Sequence, residues 1–179
     1  MKPLYYSFIG IFLFFVQACT QKKNNFDFKD EAFHVYIEKL SDTTNRIVNI
    51  NHKGDSSYWN LPYPVYQCKY ADIDSNGLNE LIVGVIKTTR FDQSMRKRVF
   101  VFKHYDNDIR PLWLGSSLGM PIKDFDINEV KNQLVTIEYD KDNTYAVANY
   151  EWDRFGFKFM GYTKRNCSFE LAKTLINEQ

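Results

Sequence analysis

Residues 72–86 read Asp72-Ile73-Asp74-Ser75-Asn76-Gly77-Leu78-Asn79-Glu80-Leu81-Ile82-Val83-Gly84-Val85-Ile86. A polar, acidic stretch passes directly into an apolar run broken only by Gly84. A short apolar run bounded by turn residues is a strand signature, and the polar stretch before it is then a connection between strands. Alternation of apolar and polar residues, the period of a half-buried strand, recurs outward from here at 33–38, 46–50, 65–70, 99–105, 109–114, 134–139, 145–152 and 157–162. Asp106-Asn107-Asp108 is the turn between two of these runs, and Pro111 marks an edge position or a bulge. Only 168–177 reads helical, with Phe169, Leu171, Ala172, Leu175 and Ile176 on one apolar face at three- and four-residue spacing. The expected fold class is all-β with a short C-terminal helix.

The order of loop, strand and hairpin occurs twice. Ala71-Asp72-Ile73-Asp74 leads through Glu80-Leu81-Ile82-Val83 to Trp113-Leu114-Gly115, and Phe125-Asp126-Ile127-Asn128 leads through Gln133-Leu134-Val135-Thr136 to Phe159-Met160-Gly161. Four short strands in about 50 residues is the size of a propeller blade. The chain holds two such four-stranded units and a partial one over 33–50. Closing a propeller takes about four to eight blades, so a closed ring is excluded and an incomplete propeller or a sandwich-like arrangement is expected.

The polar stretch carries ion chemistry. Asp72, Asp74, Asn76 and Glu80 offer side-chain oxygens at alternating or near-alternating positions, Leu78 offers its backbone carbonyl, and Gly77 tolerates the positive φ that folds a loop around an ion. Such an all-oxygen set suits Ca²⁺, which takes six to eight oxygen ligands. A plain polar turn around Asn76-Gly77 is the competing reading. Asp-x-Asp-x-Asn-Gly followed by Glu-Leu-Ile-Val-Gly resembles the calcium loop of FG-GAP/VCBS repeats, the integrin-α-like propeller blades. The resemblance implies one structural Ca²⁺ held by Asp72, Asp74, Asn76, Leu78 and Glu80. The second copy keeps Asp126 and Asn128 but has Val130, Lys131 and Asn132 where ligands would stand, and no ion is expected there.

The N-terminus reads as an address. Lys2 precedes an apolar run over 4–16, shorter than the roughly 20 residues of a membrane-spanning helix and matched to a secretory leader. Val16-Gln17-Ala18-Cys19 resembles the lipobox of bacterial lipoproteins, Gln17 being a departure from its usual small residue. The resemblance implies cleavage before Cys19, acylation of Cys19 and attachment to a membrane; Thr20, in place of a retaining Asp, points to the outer membrane of the cell envelope. The divisions expected are a signal peptide over 1–18, a tether over 19–31, the β domain over 32–165 and the C-terminal helix over 166–179.

Composition narrows the role. With 23 Lys+Arg against 22 Asp+Glu the chain has no surplus of cations for a nucleic-acid backbone. Aromatic residues make up 17%, too many for a disordered chain. Cys68 and Cys167 remain once Cys19 is acylated; they either pair or stay as buried thiols. The run Lys87, Arg90, Arg96, Lys97 and Arg98 reads as a solvated hairpin loop, with a patch for an acidic glycan or lipid headgroup as the alternative. Gly115-Ser116-Ser117-Leu118-Gly119 matches the nucleophile elbow, but every histidine precedes the serine and the elbow's chain order fails. Tyr58, Trp59 and Tyr63 are candidates for a ligand surface, ordinary core being the alternative. The expected role is a calcium-binding β module that binds or scaffolds a protein or glycan partner, without nucleic acid. The other class is an accessory hydrolase acting on envelope or extracellular polysaccharide. Cys19→Ser should shift the protein from the membrane pellet to the soluble fraction; a variant that still sediments with membranes would refute acylation at this residue.

Overall fold

The strand over 81–86 decides the architecture because its residues 81–85 are buried on both faces. In the computed structural model, which describes residues 26–115 and 118–178, Leu81, Ile82, Val83 and Val85 are all fully buried. A strand that shows apolar residues on both faces needs a layer on each side of its sheet. Three antiparallel meanders provide those layers. The first is β1 (Asp27–Lys29), β2 (Phe33–Lys39), β3 (Asn45–Asn51) and β4 (Ser56–Leu61). The second is β5 (Val65–Ala71), β6 (Glu80–Lys87), β7 (Arg96–Tyr105) and β8 (Asp108–Trp113). The third is β9 (Ile122–Asn128), β10 (Gln133–Tyr139), β11 (Tyr145–Asp153) and β12 (Gly156–Cys167), followed by α1 (Phe169–Asn177).

Each sheet orders its strands as they come in sequence, and the sheets stack face to face. Val35, Ile37, Ile47 and Leu61 of the first sheet pack on Leu81, Val83, Val85, Phe100 and Phe102 of the second. The opposite face of the second sheet, with Ile82, Val99 and Val101, meets Phe125, Ile127, Leu134, Ala148 and Tyr150 of the third. The outer face of the third, with Val135, Ile137 and Val147, is covered by Ala172 and Ile176 of α1. Ser168 caps that helix by accepting from Leu171 N (3.2 Å), and its short apolar face is stabilised by docking.

The expected all-β class, the blade-like four-stranded units and the short terminal helix are all present. The partial unit is filled out to four strands. Residues 27–29, inside the stretch expected as tether, pair with β2, and residues 56–61 pair with β3. Pro111 sits on β8, the edge of its sheet, where the register with β7 also shifts between Val101 and Phe102. Asp106 and Asn107 both take positive φ, the two-residue turn that matches the twist of a hairpin. Trp113 and Trp152 pack edge-on to the same ring, Phe157, at 5.1 and 5.5 Å between centroids.

The two remaining cysteines do not pair. Cys68 lies between the first and second sheets and Cys167 between the third sheet and α1. Cys19, with the rest of the leader, and Ser116 and Ser117 of the elbow-like motif lie outside the described residues.

Gly84 is the break in the apolar run, and packing explains it. The ring of Tyr66 crosses the backbone there, so a Cβ would stand 2.6 Å from Tyr66 Cζ and 2.9 Å from Phe125 Cε1. Gly84→Ala should destabilise the domain by about 1–3 kcal/mol through overpacking, measured by denaturant unfolding. An unchanged midpoint would show that the two layers are not in contact there.

Candidate metal centre

The connection between β5 and β6 is built around an inward residue. Ile73 is buried at 1% exposure between the second and third sheets, which pins the loop to the core and leaves Asp72 and Asp74 on either side of it. Glu80 opens β6 opposite Ala71, with 1% exposure, and its Oε2 accepts from Ile73 N (3.0 Å). The loop then folds back on its own acids. Asp72 accepts from Asn76 N (3.0 Å) and Gly77 N (2.9 Å), Asp74 from Asn76 N (3.2 Å), and Asn76 Oδ1 from Leu78 N (2.8 Å). Ser75 and Gly77 take φ of 59° and 86° to make the turn.

The result brings carboxylate oxygens of Asp72, Asp74 and Glu80 within 4.8 Å of one another. Among the described residues this is the one group of three or more acidic, histidine or cysteine side chains placed to hold a metal ion. Burial, reinforced by the charge of Asp74, pushes the Glu80 carboxyl up to about 7. A buried carboxylate beside two others is the electrostatic situation that a bound cation relieves. Asn76 stands beside the group, its amide nitrogen 3.5 Å from Glu80 Oε1, and the Leu78 side chain is half exposed at the rim. The three carboxylates offer only oxygen and fit a hard cation, whereas Asn76, expected to add its amide oxygen, turns that oxygen to Leu78 N.

The second copy is organised differently. Its first and second strands meet directly, Asn128 opposite Gln133, so only 129–132 form the turn. Asp126 is therefore a strand residue opposite Val135, paired with Lys69 Nζ at 2.6 Å. Glu80 and Gln133 are equivalent as the first residues of β6 and β10, whereas Asp72 and Asp126 are not. Asn132 has a different use. Its amide oxygen accepts from Ser75 Oγ (2.9 Å), and its nitrogen donates to the carbonyls of Asp72 (3.2 Å) and Glu129 (3.0 Å). The turn of the third sheet is thereby tied to the acidic loop of the second.

Tyr58, Trp59 and Tyr63 do not form one surface. A strand's period of two sends its neighbours to opposite faces. Tyr58 points outward at 63% exposure under the Arg46 guanidinium, 5.2 Å from its ring centroid. Trp59 packs inward beside Phe102, and Tyr63 stands edge-on to Phe100 with Lys87 Nζ 4.4 Å above its ring centroid.

Two polar clusters had no sequence signal, one built within the β10–β11 hairpin and one across the first two sheets. Glu138 is buried on β10, accepting from Tyr150 Oη (2.6 Å) and Thr136 Oγ1 (3.0 Å), and burial raises its carboxyl. Across the first two sheets, Tyr70 Oη donates to Asp30 Oδ2 (2.8 Å) and lies 3.0 Å from His104 Nε2. Tyr70 has one proton to give, so His104 Nε2–H donates to it, and His104 Nδ1 is left buried without a partner beneath the stacked ring of Phe33 (3.7 Å).

Comparison with family models, with curated proteins and with solved structures finds no match for this chain.

Burial holds His104 down to about 4, with Asp30 opposing the shift. The unfolded chain takes up this proton first, near the ordinary histidine value of about 6.5. The His104 contribution to stability should therefore be level above about pH 6.5 and fall by on the order of 2 kcal/mol, after solvent screening, as pH drops toward 4, against the opposite slope from the raised Glu80 carboxyl. Urea unfolding of the wild type and His104→Gln across this range measures the difference; equal slopes would show that His104 does not titrate with folding.

Proposed function

We propose that this protein is an envelope lipoprotein, attached through acylated Cys19 to the outer membrane, whose stacked β domain binds Ca²⁺ and serves as a binding or scaffold module. The observation that carries the reading is the convergence of Asp72, Asp74 and Glu80. Asn76 and the Leu78 carbonyl are the further protein ligands in this reading, and solvent completes the six to eight oxygens that Ca²⁺ takes. Mg²⁺ demands a near-ideal octahedron of short bonds and dehydrates reluctantly, which favours Ca²⁺ for a loop of this kind. The cation neutralises a buried carboxylate and stiffens the loop that Asn132 joins to the third sheet. The partner that such a module displays or binds is a protein or a glycan.

The distribution of perturbed acids supports binding over polysaccharide hydrolysis. Glycoside hydrolysis needs two carboxyl groups facing one bond, about 5–9.5 Å apart. Glu80 begins β6 and Glu138 nears the end of β10, so the two raised carboxyls sit at opposite ends of the stack.

Isothermal titration of the soluble domain with CaCl₂ should show one site with Kd on the order of 10⁻⁴–10⁻³ M. Asp74→Ala should abolish it. Saturating Ca²⁺, near a hundred times Kd, should stabilise the wild type by about 2.7 kcal/mol over chelator. Identical melts in Ca²⁺ and chelator would overturn the reading.

A further inference from the structure

We propose that the groove between the start of β7 and the connector leading into β9 is a binding site for an oxyanion, the phosphate or carboxylate group of a small ligand. The groove encloses about 200 Å³ and is bordered by Asp92, Arg96, Lys97, Arg98, Gly119 and Met120, among others. It lies at the opposite end of β6 and β7 from the acidic loop. Its size is below the roughly 300–1,000 Å³ of sites for drug-sized molecules, which suits one compact group.

Charge in the groove is unbalanced. Three cations line the groove, Arg96 and Arg98 on one face of β7 beside Asp92 and Lys97 on the other face, and the buried Glu138 carboxyl lies behind Gly119. Asp92 Oδ2 accepts from Arg98 Nη2 (3.0 Å) and lies 3.3 Å from Arg96 Nε, so a single oxygen serves both guanidiniums. Asp92 Oδ1 is already taken by Ser94 N (3.0 Å). Lys97 has no carboxylate. Its Nζ donates to the Lys123 carbonyl (2.8 Å) and sits 4.2 Å from the Tyr66 ring centroid, while the nearby Asp124 is occupied by Lys173 (2.6 Å). Burial lowers the Lys97 amine, and repulsion from Lys123 and Lys173 acts in the same direction against the pull of Asp124. An anion entering here meets charge-assisted donors from arginine and lysine. It also meets strand backbone, because the pairing of β7 with β8 ends at Val101 opposite Trp113 and residues 96–100 have no strand on that side.

The basic run is thus a structured element. The Arg98 side chain is only 10% exposed, and Asp92 holds the arginines together across the hairpin. The site stands apart from the acidic loop and does not depend on calcium.

The test is isothermal titration of the full soluble domain with inorganic phosphate and, separately, with glucuronate. Saturable binding of either is expected, weakened about tenfold by Lys97→Gln, the loss of one charge-assisted contact. Arg96→Gln, whose side chain is 43% exposed, should weaken binding similarly while leaving the melting temperature unchanged, so that loss of binding is not loss of fold. Tighter binding of phosphate identifies a phosphorylated ligand, and tighter binding of glucuronate an acidic sugar. No saturation with either probe up to about 10 mM, or wild-type affinity in both variants, would overturn the proposal.

Discussion

Burial of the middle sheet on both faces is the constraint on which the rest of this structure depends. Antiparallel sheets commonly keep one face in water. Here β6 is apolar on both sides, so the second meander is stable only with a sheet on each flank. The first meander covers one face and the third covers the other. The third sheet acquires the same problem in turn, with Val135, Ile137 and Val147 on its outer side, and α1 solves it. The stack therefore runs from a first sheet with a mixed polar outer face to a helix that closes the far end.

That stacking also places the polar chemistry. In a meander every second connection lies at the same end of the stack. The acidic loop and the turn over 129–132 share one end, where Asn132 spans them. The basic hairpin and the connector into β9 share the other, where Lys97 reaches the Lys123 carbonyl. Opposite charges are thus concentrated at opposite ends of the same sheet interface. Neither concentration follows from net charge, which is +1 for the whole chain.

Much of the fold was legible in the sequence, and the gaps have physical causes. The strongly periodic strands and α1 were readable because burial of one face imposes a local pattern. β1 was hidden because three residues in a polar stretch carry no period. β4 was obscured because Ser56, Ser57 and Asn60 dilute its alternation, leaving Tyr58, Trp59 and Tyr63 to look like an aromatic patch. β9 reads partly as a loop because Asp126 and Asn128 suggest one. Asp126 sits in a strand instead, along with Asp124, because Lys69 and Lys173 neutralise the two acids from other elements.

By itself the sequence determined the all-β class, the four-stranded units, the terminal helix and the oxygen donors of the acidic loop. Each of these rests on residues close together in the chain, where period, turn chemistry and ligand spacing act directly. Tertiary structure alone decided the order of the layers, the separation of Cys68 from Cys167, the use of Asn132 as a tie between sheets, and the gathering of Lys97 with Lys123 and Lys173. Those depend on which buried faces meet. That is settled by long-range packing of apolar surface, which no local pattern encodes.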